Sequence, residues 1–135
     1  MASASETGKA FRAAVEVWDI DAVRELLAPD IVFHSPVTFH PFVGRETVGD
    51  LLEIVGRTFE NFRYVDELTG EGMHQLVFRA EVDGRELEGI DLLRIAEDGL
   101  IADFTVMIRP LSGLVPFAQK MGERAQAAGL ATSRA

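Results

Sequence analysis

The chain contains no cysteine among its 135 residues, which excludes disulfides, thiolate metal sites and cysteine nucleophiles together. Basic residues are few: 13 Lys and Arg stand against 22 Asp and Glu, a formal net charge of −9. That balance argues against nucleic acid or an anionic membrane surface as partners. Histidine is scarce as well. The 3 histidines form no His-x-x-x-His pair, so no metal is expected. No apolar run approaches the roughly 20 residues that span a bilayer. The start, Met1-Ala2-Ser3-Ala4-Ser5-Glu6, lacks the basic-then-apolar layout of a secretory signal, and no Asn-x-Ser/Thr sequon occurs. These absences together predict a soluble cytoplasmic protein. What is present is an ordinary globular composition, 47% hydrophobic, sufficient for one domain with one core.

Residues 1–5 read as a disordered tail. From Glu6 to Trp18 the apolar positions Phe11, Ala14, Val15 and Trp18 follow the i, i+3, i+4, i+7 spacing of an amphipathic helix. Asp21 suits the N-cap of a second short helix, with Val23, Leu26 and Leu27 inward and Pro29 closing it. Ile31-Val32-Phe33 reads as a short strand leading into a Pro-bounded loop from His34 to Pro41. A third helix fits Glu46 to Phe59, where Gly49 and Gly56 each cost about 1 kcal/mol relative to Ala and so mark close packing.

After Asn61 the pattern turns to strands. Residues 62–68 alternate, and 76–82 alternate with Leu76, Phe78, Ala80 and Val82 on one face. Asp83-Gly84 is a two-residue hairpin signal. Strands at 85–95 and 100–109 follow, joined at Glu97-Asp98-Gly99. Pro110 ends the last strand, and Ser112 to Ala128 forms a final amphipathic helix. His74, beside the run Gly70-Glu71-Gly72-Met73, reads as exposed. Helices first and an antiparallel meander afterwards predict an α+β fold, a curved sheet wrapped around helices.

Asp91 is the anomaly. In the run Leu87-Glu88-Gly89-Ile90-Asp91-Leu92-Leu93-Arg94-Ile95 it shares a strand face with Leu87, Gly89, Leu93 and Ile95. A carboxylate on an apolar face must find a partner or keep its proton, because burying it ionised costs several kcal/mol. Such a group either orders a buried network or works in a pocket. Trp18 and Tyr64 each carry a polar handle that could meet it.

The run from Asp19 to Phe33, the segment Val43-Gly44-Arg45-Glu46, the strand Gly89 to Ile95 and the turn Gly99-Leu100-Ile101 resemble the NTF2-like superfamily. That group includes ketosteroid isomerase and the SnoaL-like polyketide cyclases. The resemblance spans roughly residues 8–112, which gives a domain at 6–112 with 113–135 as its C-terminal helix and tail. It implies a cone closed at one end, N-terminal helices packed in a curved and mostly antiparallel sheet, a mostly apolar cavity, and a homodimer joined through the outer sheet face. Of the isomerase chemistry it carries over one group in three. The general base falls on Ser35, the oxyanion-binding tyrosine on Phe11, and the buried protonated aspartate on Asp91. Epoxide-hydrolase members use an arginine where this chain has Gly89, and Asp103 alternates with Phe104, Val106 and Ile108 so as to face outward. Polyketide cyclases place an acid on a late strand, where Asp91 or Asp103 stands.

The candidate catalytic groups are therefore Asp91, as acid or hydrogen-bond donor, and His40, as a base to replace the missing carboxylate. His34 points away from the face taken by Ser35. Ser35 lacks a nucleophile elbow. Trp18, Phe33, Ser35, Tyr64, Phe78, Phe104 and Val106 are the candidate ligand contacts. Arg109 is either a surface ion-pair member at a strand exit or an anion anchor, and the helix after it either a lid or a dimer contact. The expected function is a pocket for a hydrophobic small molecule. Its expected chemistry is a cofactor-free isomerase, cyclase or dehydratase-type step on a carbonyl compound. The alternative is a non-catalytic ligand-binding or dimeric interaction module. A raised Asp91 pKa with a polar partner in a cavity favours the first reading, and a cavity filled by Trp18 and Phe rings favours the second.

Overall fold

The structure is a computed structural model and describes residues 2–130. In chain order it contains α1 (Ala4–Glu16), α2 (Ile20–Leu26), β1 (Leu27–His34), β2 (Phe42–Val43), α3 (Arg45–Thr58), β3 (Glu60–Gly70), β4 (Met73–Val82), β5 (Arg85–Ile95), β6 (Ile101–Arg109) and α4 (Leu111–Ala127). The strands form a single sheet in the order β2-β1-β6-β5-β4-β3. All neighbours are antiparallel except β1 with β6. α1 crosses the concave face over β3, β4 and β5, α3 lies against α2 and β1, and α4 bridges α3 and strands β4 to β6. This is the α+β arrangement the sequence predicts.

Period-2 burial explains why the sheet has an inside. On β4 Leu76, Phe78, Ala80 and Val82 are buried, and on β5 Leu87, Asp91 and Leu93 join them. The core beneath is rich in aromatic rings: Phe11 and Phe33 each meet Phe104 edge-on, at 5.4 and 5.2 Å between centroids. The two helical glycines do mark close contacts. The Arg24 side chain lies across Gly49, and the Trp18 ring lies across Gly56, where a Cβ would come within 2.6 Å of Cε3. The Asp83-Gly84 turn has φ of 52° and 75° at its two residues, the left-handed pair that a two-residue hairpin needs.

Four expectations need correction. The segment read as a tail contains the start of α1: Ser3 is its N-cap, Ala4 and Ser5 are its first residues, and Ser3 and Glu6 satisfy each other's backbone N–H in a capping box. α2 is capped by Asp19 rather than Asp21, its carboxylate accepting from the Ala22 N–H at 3.1 Å. Pro29 does not close that helix but lies within β1, at a register shift against β6 where a missing N–H is tolerated. His74 is fully buried rather than exposed, because β4 begins at Met73 and alternation carries His74 to the same face as Leu76 and Phe78.

Candidate functional site

Asp91 sits at the middle of β5, opposite Leu76 on β4 and Val106 on β6. It is 6% exposed. From β3, the Tyr64 hydroxyl donates to its Oδ2 at 2.7 Å. Burial pushes the Asp91 carboxyl up from 3.8 to about 7, a rise that the Tyr64 hydrogen bond partly opposes. Burial also lifts the Tyr64 phenol well above its usual 10.0, with the Asp91 charge adding to it, so the phenol keeps its proton and its donor role. Among the described residues Oδ1 of Asp91 has no hydrogen-bond partner. One carboxyl oxygen is tethered and the other is free.

The free side faces a hollow of about 40 Å³ whose lining is apolar except for Asp91 and Tyr64. Aromatic rings make most of the wall. Phe62 packs edge-on to Tyr64 at 5.0 Å, Phe59 stacks on Phe117 of α4 at 4.9 Å, and Trp18 closes one side over Phe62. Gly89 shapes the floor: a Cβ there would overlap the Phe78 ring, which lies across β5 at that point. A space of this size holds water, whereas drug-sized ligands occupy roughly 300–1,000 Å³. A second hollow of about 70 Å³ adjoins it beneath α4, and the two share Phe33, Pro36, Val55 and Phe117. Outside them an open groove of about 590 Å³ runs between the loop after β1 and the free half of β6. Pro36 and Val106 line both this groove and the Asp91 hollow.

Of the candidate contacts, Trp18, Phe33, Tyr64, Phe78, Phe104 and Val106 line the Asp91 hollow. Ser35 instead lines the second hollow and the groove, where its Oγ accepts from the Val37 N–H at 2.9 Å. His40 is exposed and lies on none of these walls, so it does not meet Asp91. His34 pairs with Asp103 at 3.0 Å and neither lines the Asp91 hollow, but His34 lines the open groove together with Ser35 rather than facing away from it. Arg109 is 73% exposed and pairs with Glu88 at 3.3 Å, an ordinary surface ion pair. Phe62 and Phe11, which are not among the candidate contacts, also line the hollow. Their signals were present, since Phe62 alternates with Tyr64 and Phe11 lies on the apolar stripe of α1.

A separate polar cluster occupies the end of the β3–β4 hairpin. His74 Nδ1 meets Thr69 Oγ1 at 2.8 Å and Nε2 meets Glu67 Oε2 at 2.7 Å. Arg12 of α1 donates to Glu67 at 2.7 Å and to Glu16 at 3.1 Å, and its guanidinium lies 5.7 Å from the centre of the Tyr64 ring. Burial raises the Glu67 carboxyl, but the hydrogen bonds from His74 and Arg12 outweigh it and leave the pKa lowered. Gly8 lies flat against the imidazole and leaves no space above it. Among the described residues no group of His, Asp and Glu is placed to hold a metal ion, and no helix is long and apolar enough to cross a membrane.

Residues 9–104 match the SnoaL-like domain family. A Pseudomonas aeruginosa protein described as a steroid delta-isomerase superposes with a TM-score of 0.89 at 38% identity, over 95% of each chain. An uncharacterised Silicibacter pomeroyi protein with a cystatin-like fold gives 0.87 at 29% identity, over 91% of this chain and 87% of that one. An NTF2-like protein of unknown function from Mesorhizobium loti gives 0.71 at 18% identity, over 79% and 91%, and that likeness concerns the fold alone. No curated protein matches the chain.

Proposed function

The chain belongs to the SnoaL-like domain family, and we propose that it is a pocket protein for a hydrophobic, carbonyl-bearing small molecule. The observation that carries the reading is the Asp91 carboxyl, buried among rings, held by Tyr64 through one oxygen and open to the hollow through the other. A carboxyl that titrates near neutral pH presents an O–H donor that an ordinary aspartate lacks. A ketone or aldehyde oxygen is the acceptor that fits a single donor in apolar surroundings. The open groove meets the hollow at Pro36 and Val106, and a ring-bearing ligand entering from it requires those side chains to turn aside. The relative named as a steroid delta-isomerase makes a steroid ketone a sensible first compound.

The chemistry this acid permits is a cofactor-free isomerase, cyclase or dehydratase-type step, with Asp91 protonating or hydrogen-bonding the carbonyl oxygen. Among the described residues Asp91 and Tyr64 are the only titratable groups on the hollow's wall, so Asp91 would both give and recover the proton. The alternative, a non-catalytic binding or dimeric module, is supported by the small volume of the hollow and by the absence of a second base from its wall. In either case the outer sheet face, where Val65 and Met107 are 47% and 55% exposed, is the surface proposed to join two copies.

Asp91→Asn, assayed with a steroid ketone, separates the readings. The enzyme reading expects binding to persist within about tenfold while turnover falls by at least about a hundredfold. Binding with no turnover in either protein selects the binding module, and no ketone binding at millimolar concentration removes both ligand readings and leaves the dimeric module.

A further inference from the structure

We infer that the hollow beneath α4 is a second subsite, for the apolar tail of a ligand whose polar head meets Asp91, and that Gly122 sets the tail's length. The inference rests on the head-group reading above. The two hollows meet at the residues they share, Phe33, Pro36, Val55 and Phe117. Phe117 is the member supplied by α4, and it stacks on Phe59 at 4.9 Å. Turning it aside joins the spaces into one cleft with Asp91 at its inner end.

The wall beyond Phe117 is built for hydrocarbon. Ala118, Gly122 and Ala125 fall at i, i+4 and i+7 on one face of α4, and Met121 beside them supplies a flexible thioether. Among the described residues no titratable side chain lines this space, and its polar residues, Ser35 and Thr38, come from the loop on the opposite side. Glycine inside a helix is unfavourable unless something requires it. At Gly122 no close contact requires it: a Cβ there would meet nothing within 4 Å. The missing side chain leaves open space in the wall. In addition, α4 lies beyond residues 9–104, so this wall is not part of the segment that matches the family. The ligand class that fits is an elongated, uncharged ketone, with a small polar head and a hydrocarbon tail of several carbons.

The test uses three probes, cyclohexanone, para-pentylcyclohexanone and pentylcyclohexane. Binding is followed by calorimetry and by the emission of Trp18, the only tryptophan, which lines the head hollow. Each buried methylene strengthens binding about fourfold, so the pentyl ketone is expected to bind at least about tenfold more tightly than cyclohexanone. Gly122→Phe should erase that gain and leave cyclohexanone affinity unchanged, whereas Gly122→Ala keeps most of it. Gly122→Leu carries the same test if the phenylalanine variant does not fold. A tail gain that is absent, or that survives both large substitutions, overturns the subsite. Pentylcyclohexane binding as tightly as its ketone would instead overturn the Asp91 reading and leave the tail subsite standing. No binding by any probe overturns both.

Discussion

Asp91 and His74 make an instructive pair. Both are buried polar side chains on the concave face of neighbouring strands, and both are hydrogen-bonded to β3. They differ in what is left over. His74 has a partner at each ring nitrogen and Gly8 pressed against its face, so nothing remains for a guest. Asp91 has one partner, one free oxygen and a hollow beside it. A buried polar group whose hydrogen bonds are complete is a structural element, and one left incomplete beside a space is a candidate site.

The largest expected effect that sharpens this contrast is Asp91→Asn. The folded protein keeps the Asp91 proton up to about pH 7, while the unfolded chain releases it near 3.8. Between those values the folded state binds more protons, so rising pH destabilises it, and the loss is complete above about pH 7. Removing the titration should therefore stabilise the protein by up to about 4 kcal/mol near pH 8, with the titration-linked gain absent near pH 3. Denaturant unfolding at the two pH values checks it, and an equal change at both contradicts it.

His74→Leu should go the other way. It leaves Thr69 without its partner and Glu67 with Arg12 alone, at an expected cost of about 2–3 kcal/mol. Ketone binding at Asp91 should stay within about twofold, because the cluster does not line the hollow. A strong loss of binding with normal folding would break the division between the two regions.

Tyr64→Phe should cost about 1 kcal/mol and, by removing the bond that lowers it, raise the Asp91 pKa further. The carboxyl carbon's NMR titration reads that shift directly. Smallest of all, Arg79→Ala on the outer face breaks an exposed pair with Glu88 and should change stability by no more than about 0.5 kcal/mol, as thermal melting would show.

Much of this was legible in the sequence, for reasons that particular residues make plain. Alternation placed Leu76, Phe78, Ala80, Val82 and Asp91 on the inner face because one buried face fixes register. Tyr64 and Trp18 were equal candidates as partner for Asp91, because a phenol and an indole each need an acceptor when buried; the bond comes from Tyr64. His74 was misread because flanking glycines outweighed parity, although position 74 alternates with 76 and 78. The start of α1 was missed because its capping box, Ser3 with Glu6, lies ahead of the apolar stripe that marks the helix. His40 could not be placed at all, since a Pro-bounded loop has no periodicity to fix where its side chains go. The hollow's volume was equally out of reach, because it depends on how rings from separate elements interlock, as Phe59 and Phe117 do.

The most direct measurement is the pH titration of the Asp91 carboxyl carbon by NMR, without and with saturating cyclohexanone. A midpoint near 7 that moves upward when the ketone is present is expected, since a ketone oxygen accepts from the protonated acid and stabilises it. A midpoint near 3.8, or one that the ketone leaves unmoved, would contradict Asp91 as the ligand's polar contact.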